Sequence, residues 1–257
     1  MTDLIEIAET KISNSNKLTI IAGLNVLEDD QQTVEVAEKL KKIIESQGNP
    51  FIFKASFDKA NRSSVDSYRG PGLEKGLEIF KELKKSGYQL ITDIHEISQV
   101  EKISEVIDII QIPAFLCRQT DILLEAGRTK LPINIKKGQF LSPWDISNVI
   151  QKVVSTGNKK LLITERGTIF GYNNLVSDMR SLPIMKKTGY PVIFDATHSV
   201  QLPGFKGNSS GGQSEFVSVL SKAAVTTGIS GIFIETHDNP KKAPSDGSSM
   251  VSLKELG

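Results

Sequence analysis

The sequence predicts an α/β fold, a (β/α)8 barrel of the TIM class, and three observations support this. Short runs rich in β-branched residues alternate with amphipathic segments along nearly the whole chain. There are eight such runs, and glycines follow several of the amphipathic segments. At 257 residues the chain has a length at which a single barrel is routine. An open, doubly wound sheet is the main alternative.

The predicted strands are short, and isoleucine and valine are frequent in them, as expected for buried parallel strands. In order they cover residues 18–22, 51–54, 89–93, 107–112, 133–136, 160–165, 192–195 and 232–235. The first sixteen residues precede the first of these strands and contain the segment IEIAETKI. We expect this extension to form a short hairpin that closes the bottom of the barrel.

The predicted helices show apolar residues at intervals of three and four, which is typical of a helix with one buried face. The clearest are 33–46, 73–85, 146–154 and 215–226. Gly48, Gly87, Gly157 and Gly228 follow them, at positions where a left-handed residue commonly ends a helix. No linker rich in proline, glycine or serine divides the chain, so we expect one domain spanning residues 1–257.

The composition excludes several classes of function. The formal net charge of +1 gives no overall field that would recruit nucleic acid or a membrane surface. The start, MTDLIEIAET, is acidic and lacks the features of a signal peptide, and no apolar run is long enough to span a bilayer. Cys117 is the only cysteine, which excludes an internal disulfide. We therefore expect a cytoplasmic protein.

Polar residues stand at the carboxyl end of every predicted strand. They are Asn25, Lys54, Asp93 with His95, Gln111, Lys136 with Lys137, Glu165 with Arg166, Asp195 with His198, and Glu235 with His237. Loop onset alone would favour glycine, asparagine, aspartate and serine over this number of lysine, arginine, histidine and glutamate residues. In a parallel barrel these ends meet at one face, where the active site lies. The sequence therefore predicts a catalytic site at this rim.

The segment FIFKASFDKANRSS predicts a binding site for anions. Lys54, Lys59 and Arg62 supply positive charge. Neutral donors accompany them, namely Ser56, Asn61, Ser63 and Ser64. Together with Lys136 and Arg166, these cations exceed what one carboxylate needs, so two anionic substrates are indicated. No GxxxxGK[ST] loop and no GxGxxG after a strand is present, so neither a nucleoside triphosphate nor a dinucleotide cofactor is predicted.

A glycine-rich segment, PGFKGNSSGGQ, follows the seventh predicted strand. Loops at this place in a barrel often close on phosphate. We therefore expect residues 203–213 to form a lid over the site, with a merely flexible loop as the alternative.

Seven blocks of the sequence resemble the 3-deoxy-D-manno-octulosonate 8-phosphate synthase family. They are FKASFDKANRSS, ITDIHE, QIPAFLCRQTD, NIKKGQFLSPWD, ERGTIFGYNNLVSDMRSLPIM, FDATHSVQLPG and ETHDNP. The resemblance implies a transferase that condenses phosphoenolpyruvate with D-arabinose 5-phosphate in lipopolysaccharide biosynthesis. A related enzyme, 3-deoxy-D-arabino-heptulosonate 7-phosphate synthase, uses erythrose 4-phosphate and has a KPRTS-like segment where this chain has KANRSS. A sugar-phosphate-binding barrel without catalysis is a further alternative.

The resemblance also implies roles for individual residues. Phosphoenolpyruvate would be held by Lys59, Lys136 and Arg166, with Lys54 and Gln111 completing its pocket. The pentose phosphate would meet Asn61, Arg62 and Ser63. In this family Arg62 and Ser63 would act across a subunit interface, which implies a homotetramer. Asp93 would lie near the sugar hydroxyls and aldehyde, and His198 where water approaches C2 of phosphoenolpyruvate.

Four residues bear on whether a metal ion is used. In the metal-using branch of the family, a cysteine, a histidine, a glutamate and an aspartate hold a divalent ion. The matching residues here are Asn25, His198, Glu235 and Asp246. A neutral amide is a much weaker ligand for zinc or iron than a thiolate. The resemblance therefore implies the metal-independent branch and no cofactor, although the segment SDGSSM departs from the CDGP pattern of that branch.

Overall fold

The computed structural model describes residues 4–204 and 210–256, and a closed parallel barrel forms its centre. The barrel strands are β1 (Thr19–Gly23), β2 (Phe51–Lys54), β3 (Leu90–Asp93), β4 (Ile109–Ile112), β5 (Ile133–Lys136), β6 (Leu161–Glu165), β7 (Val192–Asp195) and β8 (Gly231–His237). Each strand pairs in parallel with the next, and β8 pairs with β1. The predicted barrel is therefore confirmed, and the open sheet is excluded.

The strands agree with the prediction to within two residues at each end. The largest differences, of two residues, are at the end of β8, which was predicted at residue 235 and lies at His237, and at the start of β4, which was predicted at residue 107 and lies at Ile109. The backbone N–H groups of Val106 and Ile107 instead donate to the carbonyl of Ile103, at 3.1 and 3.2 Å. These residues therefore complete the preceding helical turn before the strand begins.

Seven α-helices occur in the described residues, one after each of the first seven strands. They are α1 (Asp30–Ser46), α2 (Leu73–Lys85), α3 (Val100–Ser104), α4 (Thr120–Arg128), α5 (Ile146–Val154), α6 (Ser181–Lys186) and α7 (Val217–Val225). The four glycines predicted to end helices all have positive φ, between 72° and 83°. Among the described helices, none combines the length and the apolar character that crossing a bilayer requires.

The eighth strand departs from the simple repeat. Within the described part of the chain, short 3-10 turns at Pro240–Lys242 and Leu253–Glu255 follow β8, without an α-helix. A short strand, Val251–Ser252, pairs with the end of β8. Pro240, Pro244 and Gly247 explain this difference, because proline and glycine disfavour a continuous helix.

The amino-terminal extension closes the bottom of the barrel, as predicted. Strands Ile5–Ile7 and Thr10–Ile12 form an antiparallel hairpin. Asn14 fixes the segment that follows: its Nδ2 donates to the Tyr190 carbonyl at 2.9 Å, and its Oδ1 accepts from the Val192 N–H at 3.0 Å. These contacts lie at the amino-terminal end of β7.

The barrel interior has an apolar layer with a polar layer above it. The apolar layer contains Ile21, Ile52, Ile91, Ile109, Leu162, Ile193 and Phe233, and it packs with Ile5, Ile7 and Ile12 of the hairpin. Side chains two residues apart on a strand share a face. The next inward positions are therefore Gly23, Lys54, Asp93, Gln111, Thr164, Asp195 and Glu235. A strand periodicity of two thus places the charged groups at the carboxyl end of the barrel.

Candidate active site

Two adjoining pockets open at the carboxyl end of the barrel. The outer pocket, of about 230 Å³, is lined by loop residues, and the inner pocket, of about 90 Å³, by residues at the strand ends. The predicted site residues in their walls are Lys54, Lys59, Asn61, Arg62, Ser63, Asp93, Gln111, Lys136, Arg166, His198, Glu235 and Asp246. Asn25 lies behind them and contacts two of their carboxylates. The structure therefore brings the predicted residues together.

Lys54 and Glu235 form a buried ion pair at the base of the inner pocket. Lys54 Nζ lies 2.6 Å from Glu235 Oε1, and both side chains are 1% exposed. Burial lowers the pKa of Lys54, and Glu235 opposes that effect. Burial alone would raise the pKa of Glu235, but His198, Lys54 and Lys59 lower it well below its usual range. Glu235 is therefore ionised.

Gly23 on β1 lies against the backbone of Lys54 on β2. A Cβ atom at Gly23 would lie 1.9 Å from the Lys54 carbonyl oxygen, which is a severe overlap. Only glycine fits at this position of β1.

Lys59 carries a charge that the residues around it leave partly uncompensated. Its Nζ lies 3.8 Å from both Asp93 Oδ2 and Glu235 Oε1, which is longer than a hydrogen bond. Burial would lower the pKa of Lys59, but the carboxylates of Glu235, Asp93 and Asp246 raise it above its ordinary value. Lys59 lines both pockets, so it offers a cation at the junction between them.

Lys136, Asp195 and His198 form a second charged group. Asp195 Oδ2 accepts from Lys136 Nζ and lies 2.7 Å from His198 Nδ1. The Lys136 ammonium also stands 3.1 Å from the centre of the Phe233 ring. Burial lowers the pKa of Lys136 to about 8, although Asp195 opposes the shift. Asp195 therefore orients His198, whose Nε2 points to Glu235 Oε2 at 3.3 Å.

Asp93 is held by neutral donors on both sides. Ser56 Oγ donates to Asp93 Oδ2 at 2.5 Å, and Gln111 Nε2 donates to Asp93 Oδ1. Burial alone would raise the pKa of Asp93, but Lys54 and Lys59 lower it well below its usual range. Asp93 is therefore an ionised acceptor in the wall of the inner pocket.

Arg166 lines both pockets and carries a donor nitrogen without a partner in the described residues. Its Nη2 donates to Gln201 Oε1 at 2.7 Å. Its Nη1 is buried and has no hydrogen-bond partner within residues 4–204 and 210–256. A buried guanidinium nitrogen without a partner is costly unless a ligand satisfies it. Because Arg166 lines both pockets, this nitrogen is suited to an anionic ligand.

Arg62 stands in the wall of the outer pocket of its own chain. It donates to Ser245 Oγ and, at 3.3 Å, to the Pro244 carbonyl. Asn61 and Ser63 line the same pocket. The predicted anion-binding segment therefore faces the site, and Arg62 links it to the loop that carries Asp246.

His198, Glu235 and Asp246 form a cluster with metal-ligand chemistry. Their ligand atoms all lie within 4.8 Å of one another. However, Asn25 Nδ2 donates to Glu235 Oε2 at 2.5 Å and to Asp246 Oδ2 at 3.1 Å. The Asn25 N–H groups thus use carboxylate lone pairs that a cation would need. The donor set is a poor match for zinc or iron.

Some rim residues point elsewhere. His237 Nε2 contacts Glu28 Oε1 at 2.9 Å, outside the pockets. Lys137 is fully buried and donates to the carbonyls of Gly138 and Leu141. Glu165 Oε1 accepts from the Gly167 N–H at 2.8 Å. These groups fix the loops after β5, β6 and β8, so a polar residue at a strand end does not by itself belong to the site.

Some wall residues had no predicted role, and one of them, Asp195, was predicted only as a strand-end residue of the rim. Phe115, Gln139 and Gln201 line the walls, and Asp195 lines the inner pocket. Asp195 carried a signal, because it ends a strand three residues before His198. The other three lie in loops, and their spacing from the strands gives no such signal.

The predicted lid falls partly outside the described residues. Gly204 and Ser210 line the outer pocket, and Gln201–Leu202 pairs antiparallel with Gly211–Gly212. Residues 205–209, which include Gly207, lie outside the described residues. Closure of this loop is therefore still a prediction.

Comparison with known proteins shows the family to which this chain belongs. The model of the DAHP synthetase I family matches residues 4–257. A 2-dehydro-3-deoxyphosphooctonate aldolase of Geobacter metallireducens is 57% identical over 257 residues, covering 100% of this chain and 94% of the relative. The protein of the same name from Geotalea daltonii is 58% identical over 253 residues, covering 98% of this chain and 93% of the relative. The chain belongs to the DAHP synthetase I family.

Proposed function

We propose that this chain condenses phosphoenolpyruvate with D-arabinose 5-phosphate and water, giving 3-deoxy-D-manno-octulosonate 8-phosphate and inorganic phosphate. The observation that carries the proposal is the pair of adjoining pockets, in which cations from several strands and loops converge. Two compartments of this charge suit two phosphorylated substrates. The name of the relatives, 2-dehydro-3-deoxyphosphooctonate aldolase, denotes an enzyme of the same eight-carbon sugar acid phosphate.

The inner pocket suits phosphoenolpyruvate. Lys136 and Arg166 supply donors for its phosphate, and Lys54 and Gln111 complete the wall near the reacting carbons. The unpartnered Arg166 Nη1 supports this assignment because an anion would satisfy it. Lys59 stands at the junction of the pockets, where it can hold both anions near each other despite their repulsion.

The outer pocket suits the pentose phosphate. Asn61, Arg62 and Ser63 line its wall, and all three side chains can donate to phosphate oxygens. Asp93, in the inner pocket, would accept from the sugar hydroxyls near the aldehyde. This arrangement would point the aldehyde carbon towards phosphoenolpyruvate and leave the sugar phosphate outermost.

The reaction then needs one carbon–carbon bond and one added water. C3 of phosphoenolpyruvate attacks the aldehyde carbon, and the aldehyde oxygen takes a proton. Water adds at C2 and gives up one proton. The C2 hydroxyl then loses its proton to the departing phosphate and becomes the ketone oxygen, as the bond from C2 to the bridging oxygen breaks and phosphate leaves with that oxygen. His198 Nδ1 is engaged by Asp195, and Nε2 faces Glu235 across 3.3 Å. In the neutral ring with its proton on Nδ1, Nε2 is the group placed to take a proton from that water.

We propose that no metal ion takes part. Asn25, Glu235 and Asp246 form a hydrogen-bonded set in which the Asn25 amide donates to both carboxylates. Lys54 further compensates the charge of Glu235. The carboxylates would therefore act by hydrogen bonding and proton handling around the water and the sugar.

The test is phosphate release from phosphoenolpyruvate by the purified protein. Arabinose 5-phosphate should support release, and erythrose 4-phosphate should support it poorly, because the loop segment reads KANRSS. Equal or faster turnover with erythrose 4-phosphate would favour a 3-deoxy-D-arabino-heptulosonate 7-phosphate synthase. If no phosphate is released with either sugar, a non-catalytic barrel is favoured. Against that outcome, every position assigned to phosphoenolpyruvate binding carries a suitable residue.

We propose a homotetramer, with phosphoenolpyruvate and arabinose 5-phosphate as the ligands and neither nucleic acid nor membrane as a partner. The resemblance implies that Arg62 and Ser63 act in a neighbouring subunit. In the isolated chain they line the pocket of their own chain. Mixed tetramers of Arg62→Ala and Arg166→Ala subunits test this role. They regain activity if Arg62 acts across an interface and stay inactive if it acts within its own subunit.

A further inference from the structure

A line of buried hydrogen bonds runs along the barrel interior and ends at Asp93. Thr164 Oγ1 donates to Asn134 Oδ1 at 2.7 Å, and Asn134 Nδ2 donates to Gln111 Oε1 at 2.8 Å. Gln111 Nε2 then donates to Asp93 Oδ1. The four residues come from four successive strands, β6, β5, β4 and β3. We call them the interior amide chain.

Each bond of the interior amide chain fixes the orientation of the next group. An ionised carboxylate can only accept, so Asp93 requires the nitrogen of Gln111. The oxygen of Gln111 is then free to accept, so it requires the nitrogen of Asn134. The oxygen of Asn134 in turn requires a donor, and the Thr164 hydroxyl supplies it. The chain is therefore satisfied in one direction only.

The far end of the chain does not touch the site. Asn134 and Thr164 are fully buried and line neither pocket, whereas Gln111 and Asp93 line the inner one. Within the described residues, the Thr164 side chain is thus hydrogen-bonded towards the site through the two amides. Thr164 lies on β6, two residues before Arg166, which follows the end of that strand. The Thr164 side chain faces the barrel axis at the level of Lys136.

We propose that Thr164 and Asn134 are positioning residues, which hold the Gln111 amide with its nitrogen towards Asp93 and so keep Asp93 aimed at the acceptor sugar. This inference rests on the proposed function of the same site. Without the Thr164 hydroxyl, the Asn134 oxygen would be buried and unsatisfied. With valine at position 164, either orientation of the Asn134 amide leaves one polar group buried without a partner. The Asn134 nitrogen is then no longer held towards Gln111, and the Gln111 amide loses the contact that fixes it beside Asp93.

The test compares two isosteric substitutions at buried barrel threonines. Thr164→Val removes the donor at the start of the chain. Thr92→Val is the control, because Thr92 is also fully buried and its Oγ1 has no hydrogen-bond partner in the described part of the molecule. Thr164→Ser keeps the hydroxyl and should restore the wild-type behaviour.

We expect Thr164→Val to lower kcat roughly three- to tenfold, the factor that corresponds to the net free energy of one internal hydrogen bond. Both Michaelis constants should stay within about twofold of wild type, because the cationic groups that bind the substrate anions are unchanged. Thr92→Val and Thr164→Ser should keep the wild-type kcat. Equal kcat for Thr164→Val and Thr92→Val would overturn the inference, and so would a parallel rise of both Michaelis constants.

A second measurement does not depend on turnover. In protein labelled with 15N at glutamine side chains, the Gln111 amide signal is assigned by its loss in Gln111→Leu. This signal should move in Thr164→Val and stay in place in Thr92→Val and Thr164→Ser. An unmoved signal in Thr164→Val would contradict the inference even in an active enzyme. Inactive wild-type protein would instead contradict the proposed function and leave this measurement valid.

Discussion

At the scale of single residues, Asn25 decides how the carboxylates of Glu235 and Asp246 are compensated. Because its amide donates to both, we expect exhaustive treatment with a strong chelator to leave the rate of phosphate release unchanged. Asn25→Cys would place a soft ligand beside His198, Glu235 and Asp246. This variant should bind cadmium, which is measured by the absorption of the cadmium–thiolate bond.

The wild-type protein is the control for this measurement. It retains Cys117, a buried thiol whose pKa is raised by burial, so any signal from that residue appears in both proteins. Wild-type activity that disappears with chelator and returns with zinc, manganese or cadmium would contradict the metal-independent proposal.

Lys136 makes a separate prediction about pH. Burial lowers its pKa to about 8, so in the free enzyme the ammonium loses its proton as the pH rises through this value. The affinity for phosphoenolpyruvate should therefore fall above about pH 8, by up to roughly tenfold per pH unit. Calorimetric titration across this range measures the effect.

The matched variant is Lys136→Arg, because arginine stays charged throughout this pH range. Its affinity for phosphoenolpyruvate should be nearly independent of pH, even if it is weaker overall. A wild-type affinity that is constant from about pH 7 to 9.5 would show that Lys136 does not bind the phosphate as a titrating cation.

The charged residues of the candidate site could be predicted from the sequence, but their pairing could not. Lys54, Lys136 and Glu235 could be predicted because each ends a strand whose apolar residues mark it as buried. Their partners depend on which side chains meet across the barrel axis. The bond from Lys136 on β5 to Asp195 on β7 is of this kind, since no spacing along the chain encodes it.

At the scale of elements, the strands were predictable because each needs only a short apolar run. The hairpin was predictable for the same reason, since Ile5, Ile7 and Ile12 alternate with polar residues. The end of the chain was harder to predict, because seven pairs of a strand and a helix suggested that a helix would also follow the eighth strand. The proline and glycine residues after β8 override that expectation.

The hairpin gives a prediction about stability. Ile12 is fully buried against the apolar layer of the barrel. Ile12→Ala should lower the free energy of unfolding by roughly 2–5 kcal/mol, the usual cost of such a cavity. Glu6→Ala is the control, because Glu6 is exposed and its ion pair with Lys11 spans 3.6 Å. Glu6→Ala should lower the free energy of unfolding by less than about 1 kcal/mol.

Urea denaturation measures both variants. Phosphate release by folded Ile12→Ala should stay near wild type, because the hairpin contacts the apolar layer and not the pockets. Equal stability of the Ala variants would mean that the hairpin does not contribute to the core.

At the scale of the whole molecule, barrel closure brings distant residues together. Asn25 and Asp246 are 221 positions apart, yet their side chains are hydrogen-bonded. The rule that parallel strands end at one face predicted this convergence without any contact being known. The same rule could not predict that the site is divided into two pockets, because Phe115, Gln139 and Gln201 extend from loops to form the walls.

The outer surface near the pockets gives the last prediction, which concerns assembly. Aromatic side chains in the loops after β5 and β6 are unusually exposed, with Trp144 at 68%, Phe170 at 73% and Tyr172 at 99%. Large aromatic side chains with this exposure are typical of an interface between subunits. We expect light scattering to give four times the chain mass of 28.2 kDa. The double variant Phe170→Ser, Tyr172→Ser should shift the mass to smaller species, whereas Val219→Ser on α7, also exposed, should not. A wild-type protein that scatters as a single chain would contradict the homotetramer, and a double variant that stays tetrameric would place the interface on another face.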